Sequence, residues 1–534
     1  MWALAISVLL YAAWAQAKYV WPAKSDFLED MLAIQSGAVK FGFTDLVGSC
    51  DLGFNQPGRQ SSAEWVRAAF HDAITHNKAK GTGGLDISIM FETERPENKG
   101  VAFNNTVNDM HSFFSPRASG SDLLALALVA AVAGCGGPRI QLRMGRIDAS
   151  AAGPAGVPEP EHDLASTLAA FTNAGFSQED MIAMVACGHT LGGVQSVDFP
   201  DITGGTPSNS HKVPFDRTAA AFDTAVVNEY LQGDGVNPLV FGHNQTTNSD
   251  KRIFAADGNA TMSRLRDPQE FRSTCGTVFQ RLIDTVPSTV QLSEPIDIVD
   301  VKPYIDKLEL ATTPNQLALA GKIRVRTTKG TGRDADSLQV SLRLLDRSGK
   351  SSHLDAPRMR WRSGQSEGFF GETFTWYEFA TQVNAVAGLK SFTIHLKDAS
   401  GAEPVHDNGG HGYPLNDQVL YMQSRSCQGP VANGNMTFTI GAAVRKSAIG
   451  DANDKVAVKM AHKIHQTGAV LPRIVIQPLS MVASGISTAE GYVHYSLNVS
   501  TYAPEWSTTF DIELQSKKGT VASEFHPTVA LENC

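Results

Sequence analysis

Apolar residues in this chain keep two different rhythms, and the place where one gives way to the other limits the fold more than any single motif. From about Ser25 to Asp284 they recur every three to four residues, in Ala63–His76, Asp122–Gly134, Leu164–Ala174, Gln178–His189 and Ala219–Leu231. That is the spacing of one helix face. Beyond about Pro295 they alternate, in Gly321–Thr327, Leu338–Leu344, Phe392–Leu396 and Tyr492–Val499, as strands buried on one side do. Pro287, Ser288, Pro295 and Pro303 break both rhythms. The pattern predicts a mainly α region over 18–290 and a mainly β, sandwich-like region over 300–534. The β part is one or two sandwiches; if two, the Gly-rich loop Gly401–Asp417 and Cys427 place the division near 400–427.

With 42% hydrophobic and 19% charged residues over 534 positions, such regions have enough apolar material to bury cores, which argues against wholesale disorder. The net charge of −9, from 45 basic and 54 acidic residues, disfavours a nucleic-acid surface. Residues 1–17 are apolar through Leu9 and Leu10 and close on Ala15-Gln16-Ala17, the pattern of a cleaved secretory signal peptide. No later run approaches ~18 apolar residues, so no membrane span is expected. The chain is thus expected to be secreted and extracellular. Its six cysteines, Cys50, Cys135, Cys187, Cys275, Cys427 and Cys534, then default to disulfides. Cys427–Cys534 would close the β region and leave Cys187 and Cys275, the state of Cys187 remaining open. Glycan acceptors at Asn104, Asn244, Asn259, Asn435 and Asn498 suit the same route.

Chemistry concentrates in the α half. In Arg67-Ala-Ala-Phe70-His71-Asp72 a cation and a base four residues apart share one helix face, with Phe70 beside them. His189 ends a helix that Ser177 and Asp180 open as a capping box, and small residues follow it in Thr190-Leu-Gly-Gly. Taken singly, an Arg/His pair on a helix is a common packed feature and such a histidine a common helix cap. His406, Asp407 and His411 read as a polar surface loop, and Trp361, Phe369, Phe370, Trp376 and Tyr377 as core rather than a sugar-stacking platform.

In their order and spacing, Arg67-x-x-Phe70-His71-Asp72, Pro96-Glu-Asn98-Lys-Gly100 and Cys187-Gly-His189-Thr190 resemble the plant-type haem peroxidase superfamily, most closely its secreted fungal class II members, over roughly residues 40–285. The resemblance implies haem b, with His189 as the proximal ligand, Phe215 beside it, and Asp257 as the carboxylate that polarises it, Asp250 being a minor rival. It implies two calcium ions: a distal one on Asp72, Gly84, Asp86 and Ser88, and a proximal one on Thr190, Asp216, Thr218, the Ala221 carbonyl and Asp223. It also implies a Cys50–Cys135 disulfide.

On the distal side it implies that His71 moves the proton of hydrogen peroxide, Arg67 stabilises the charge that develops as the O–O bond breaks, Asn98 sets the His71 tautomer and Phe70 walls the pocket. The expected donors are small phenolic or aromatic molecules. Manganese peroxidases carry three carboxylates where this chain has Glu64, Gln60 and Gln195, and the surface-relay tryptophan of lignin peroxidases falls on Met184, which leaves Trp65 or a tyrosine for that part. The competing class is a secreted haem- or calcium-binding protein with little turnover, whose β region targets a cell-wall polysaccharide or a protein.

Overall fold

The computed structural model describes residues 19–53, 58–451, 453–487 and 491–534; the expected signal peptide lies outside them. A mainly helical part is followed by antiparallel sheets. The helices are α1 Asp26–Ala33, α2 Ser61–Ile74, α3 Ala102–Met110, α4 Gly120–Gly134, α5 Leu164–Ala174, α6 Gln178–Gly188, α7 Pro200–Thr203, α8 Ala225–Gln232, α9 Ser249–Phe254, α10 Ala260–Arg264 and α11 Pro268–Ile283. None of them is long and apolar enough to cross a membrane.

Apolar nearly all round, α4 forms the centre of the bundle. Against it lies α2, where Ala68, Ala69 and Ala73 are fully buried; side chains this small let the two helices approach closely. At the head of α6, Ser177 and Asp180 form a reciprocal capping box. The expected helix at Ala219 begins only at Ala225, because the preceding carboxylates hold their own backbone in turns: Asp216 accepts from the Thr218 N–H and Asp223 from the Ala225 N–H.

The short strands β1 Ser36–Gly37, β2 Gly193–Gln195 and β3 Lys212–Pro214 lie among the helices. After them come β4 Val301–Leu310, β5 Gln316–Arg326, β6 Gln339–Leu345, β7 Ser351–Ala356, β8 Gln365–Glu367, β9 Thr373–Asn384, β10 Ser391–Lys397, β11 Val405–His406 and β12 Tyr413–Pro414. They make a first sandwich, with order β1-β8-β9-β5-β4 on one side and β11-β10-β6-β7 on the other, where β12 also pairs with β10. Leu319, Ile323 and Val325 of one sheet meet Leu342, Phe392 and Ile394 of the other.

A second sandwich uses β13 Val419–Tyr421, β14 Cys427–Ala432, β15 Asn435–Arg445, β16 Lys455–Ile464, β17 Arg473–Ser480, β18 Val482–Ser487, β19 Tyr492–Tyr502, β20 Thr509–Ser516 and β21 Gly519–Pro527. Its core gathers Phe438, Ile440, Val458, Met460, Phe510 and Ile512. Between the two sandwiches sits Asp417, fully buried, where Arg347 and Arg445 meet. Trp376 and Tyr377 are core, as expected, but Trp361 and Phe370 are 66% and 45% exposed.

Because every residue assigned a role lies before Val290, the β part is expected to fold separately and a chain ending near Val290 to keep its chemistry. The two parts are nevertheless in close contact. β1, from the N-terminal segment, completes a sheet of the first sandwich by pairing with β8. Among the described residues, Glu29 and Asp30 of α1 find their counter-charges on β4 and β5: Lys302 lies 2.9 Å from Glu29 and 2.8 Å from Asp30, and Arg324 2.5 Å from Glu29, all four groups being buried. Leu471, from the loop after β16, sits in the helical core, and the Val470 N–H donates to the Met90 carbonyl. A buried ion group with a partner removed costs about 3–5 kcal/mol. Arg324→Met should lower stability by roughly that much, read as the urea midpoint, and a chain ending near Val290 should lose cooperative unfolding because Glu29 and Asp30 are stranded.

Candidate active site

Between α2 and the end of α6 lies a cavity of about 450 Å³, lined by Arg67, Phe70 and His71 on one side and by Gly188, His189 and Phe215 on the other. Three-and-four spacing on α2 turns Arg67, Phe70 and His71 to this side. His71 is buried, and its Nδ1 lies 2.8 Å from Asn98 Oδ1. Asn98 Nδ2 donates to the Glu92 carbonyl at 3.1 Å, so its amide oxygen must face His71. Nδ1 therefore carries the proton and Nε2 keeps its lone pair. Burial first, and the Arg67 charge second, hold the His71 pKa well below its ordinary 6.5.

No carboxylate of the described residues pairs with Arg67. Its guanidinium lies 4.4 Å from the Phe103 ring centre and 3.5 Å from the Lys99 carbonyl. Burial lowers its pKa to about 10, which still leaves it charged at neutral pH.

Across the cavity His189 closes α6, its N–H bonded to the Val185 carbonyl. Its Nδ1 lies 2.8 Å from Asp250 Oδ2, which also accepts from Asn237 Nδ2 at 2.9 Å. Phe215, placed by the β2–β3 hairpin, stacks on the ring at 4.1 Å and 10°. The carboxylate expected at Asp257 is therefore Asp250, at the start of α9. Asp257 lies beyond the end of that helix and is spent on α10, accepting from the Thr261 N–H and hydroxyl at 2.9 and 2.6 Å.

Cys187, two residues before His189, is bonded to Cys275 of α11, so the end of α6 is tied down covalently; Cys50–Cys135 and Cys427–Cys534 are the other disulfides. A Cβ added at Gly188 would meet nothing within 4 Å. A flat group thus has room beside His189, whose Nε2 is left for a metal.

Of the residues expected to hold calcium, most are brought together on each side, in different states. On the proximal side Thr218 binds Asp216 and Asp223, and Thr190 donates to the Asp223 carbonyl. Asp216 Oδ2 is buried without a partner, and burial raises its pKa to about 7. Ala221 lies in the same turn, its N–H on the Thr218 carbonyl. On the distal side Asp72 accepts the N–H groups of Asp86, Ile87 and Ile89. Ser88 Oγ stands 3.5 Å from it. Gly84, at φ +112°, runs against the Thr285 carbonyl, where a Cβ would clash. Burial and then Asp86 push the Asp72 pKa well up.

Sequence reasoning missed Lys212. Its ammonium donates to Gln60 Oε1 at 2.7 Å, while Gln195 Nε2 is held by the Gly58 carbonyl and Glu64 by Asn105 and Arg59. Met184 and Trp65 are both buried, so neither is a surface relay.

A family model described as Peroxidase matches residues 53–265. Over 98% of its length the chain is 36% identical to a WSC domain-containing protein of Arthroderma benhamiae, of which it covers 70%. It is also 35% identical to the peroxisomal L-ascorbate peroxidase 5 of Arabidopsis thaliana and 34% identical to manganese peroxidase 2 of Phlebia radiata, each over 32% of the chain, covering 57% and 44% of those proteins. Residues 53–265 thus form a peroxidase domain of the plant-type haem peroxidase superfamily. The likeness to the Arthroderma protein runs through its β region as well.

Replacing the two candidate carboxylates should separate them. Asp250→Ala removes a charge-assisted bond and should cost about 1.5–3 kcal/mol and shift the His189 imidazole ¹⁵N resonances. Asp257→Ala should cost about 1 kcal/mol and leave those resonances in place.

Proposed function

We propose that the protein is a haem peroxidase that reduces hydrogen peroxide at the expense of small phenolic or other aromatic donors. The observation that carries this reading is the unprotonated Nε2 of His71, fixed by Asn98, in one cavity with the unpaired charge of Arg67. His189 would hold the haem, with Asp250 on its Nδ1 making it a stronger donor to iron; when bound, the haem supplies the electrons that cleave the peroxide O–O bond.

His71 Nε2 takes the proton from one peroxide oxygen and returns it to the departing one, which leaves as water. Arg67 stabilises the negative charge on that departing oxygen. Asn98 keeps the acceptor nitrogen on the cavity side throughout. Phe70, packed 5.7 Å from Phe171, narrows the wall.

The unpartnered Asp216 oxygen and the Asp72/Asp86 pair are oxygen-rich sites that a hard cation such as Ca²⁺ would neutralise. Chelation should therefore lower the thermal midpoint and perturb the haem absorption together, because Asp72 follows His71 and Thr190 follows His189. Three disulfides favour work outside the cytosol, in keeping with a secreted chain.

Mn²⁺ should be a poor donor, since an ammonium stands on Gln60 where a cation site would need carboxylates. Steady-state rates with Mn²⁺ and a simple phenol test this; a saturable Mn²⁺ rate equal to the phenol rate would contradict it. His71→Leu should slow the peroxide reaction by roughly two to four orders of magnitude. In the unsubstituted chain, stopped-flow rates should stay flat as pH falls through 6.5, because the folded pKa of His71 is depressed. Arg67→Gln should move the acid limb upward, since one of the two causes of that depression is gone.

The exposed Trp361 favours a second role for the β region, a surface that stacks on a cell-wall polysaccharide. Unimpaired polysaccharide pull-down by Trp361→Ala would remove it.

A further inference from the structure

The β2–β3 hairpin puts into the cavity wall an ammonium that this reaction does not use. Lys212 faces Gln195 in the hairpin register and lines the cavity. Gln60 meets it with an oxygen only, because Gln60 Nε2 is engaged by the Ala219 carbonyl at 2.9 Å and the side chain is buried. A neutral amide satisfies a hydrogen bond but not a charge. Asp51 and Glu64 act on the ammonium through space, and no carboxylate of the described residues pairs with it.

Two neighbours along the same wall are also unsatisfied. Arg59 spends its terminal nitrogens on Asp198 at 2.8 Å and Glu64 at 3.4 Å, which leaves its buried Nε without a partner. Gln195 Oε1 is likewise buried and unpartnered. A half-buried cation that meets only a neutral amide is completed by an anion carrying acceptor oxygens. The cation also excludes metal-ion donors and leaves an uncharged phenol without a gain.

We propose that Lys212 seats a carboxylate of the reducing substrate, so that the preferred donors are phenols bearing a carboxylate group. This rests on the peroxidase reading above. Each phenol gives up one electron and its hydroxyl proton, and two of them convert one hydrogen peroxide into two waters. The carboxylate stays ionised and serves only for position. A haem propionate shares the same chemistry, so the test must tell the two sources apart.

Calorimetric titration of the haem-loaded full chain with 4-methoxycinnamate, without peroxide, measures the seat apart from turnover. Saturable binding at one per chain is expected, with the methyl ester weaker by about tenfold or more. Lys212→Gln should abolish the preference and Lys212→Arg should keep it. In turnover, the ratio of kcat/KM for 4-hydroxy-3-methoxycinnamate over its methyl ester should fall about tenfold in Lys212→Gln, through KM rather than kcat. Equal binding of acid and ester would overturn the proposal. Faster haem transfer from Lys212→Gln to apomyoglobin, with both donors slowed alike, would assign Lys212 to the propionate and overturn it too. A chain that oxidises neither donor refutes the peroxidase reading, while the titration still decides the seat.

Discussion

Each of the two imidazoles that face this cavity has its Nδ1 tied to a fixed oxygen, and the two oxygens differ in kind. His71 meets the neutral amide of Asn98, whereas His189 meets the carboxylate of Asp250. An amide oxygen fixes the tautomer without adding charge, so burial and Arg67 keep His71 an unprotonated base. A carboxylate lends the ring anionic character, which suits a metal ligand. The asymmetry divides the proposed reaction between the two sides, and the Glu92 carbonyl and the Asn237 amide hold the two oxygens in place.

The β region takes part in this support. Val470 and Leu471 bear on Met90 and the helical core, two residues from Glu92, whose carbonyl orients Asn98. At the other end of the chain α1 is anchored by Lys302 and Arg324. Contacts far apart in sequence therefore fasten the sandwiches to the helices. Closely packed interiors do not deform continuously, so a shift of the loop after β16 would be felt at the amide that sets the His71 tautomer.

Most of the site could be read from the sequence because it lies on helices with fixed offsets. Arg67, Phe70 and His71 converge by three-and-four spacing, and the capping box at Ser177 sets where α6 begins and so where His189 ends it. Asp250 was harder to read. Between His189 and Asp267 the chain has short helices and turns, with no periodicity to say which of two carboxylates, seven residues apart, turns inward. Lys212 was hidden for a related reason: a three-residue strand carries too little pattern to fix its register, and only the pairing of Lys212 with Gln195 brings the ammonium to Gln60. The strand alternation gave the β class, but not the interlock with α1, since counter-charges on Glu29 and Arg324, almost three hundred residues apart, leave no local signal.

We propose that His189 and His71 make this cavity a haem site that turns over peroxide. The most direct test is the absorption spectrum of the haem-loaded chain, followed through one equivalent of hydrogen peroxide and then two equivalents of a phenol. One haem per chain is expected, with a spectral change complete at one equivalent of peroxide and return to the starting spectrum after the second equivalent of phenol. A chain that binds haem yet shows no change with peroxide, or one whose spectrum is untouched by His189→Ala, would contradict the proposal.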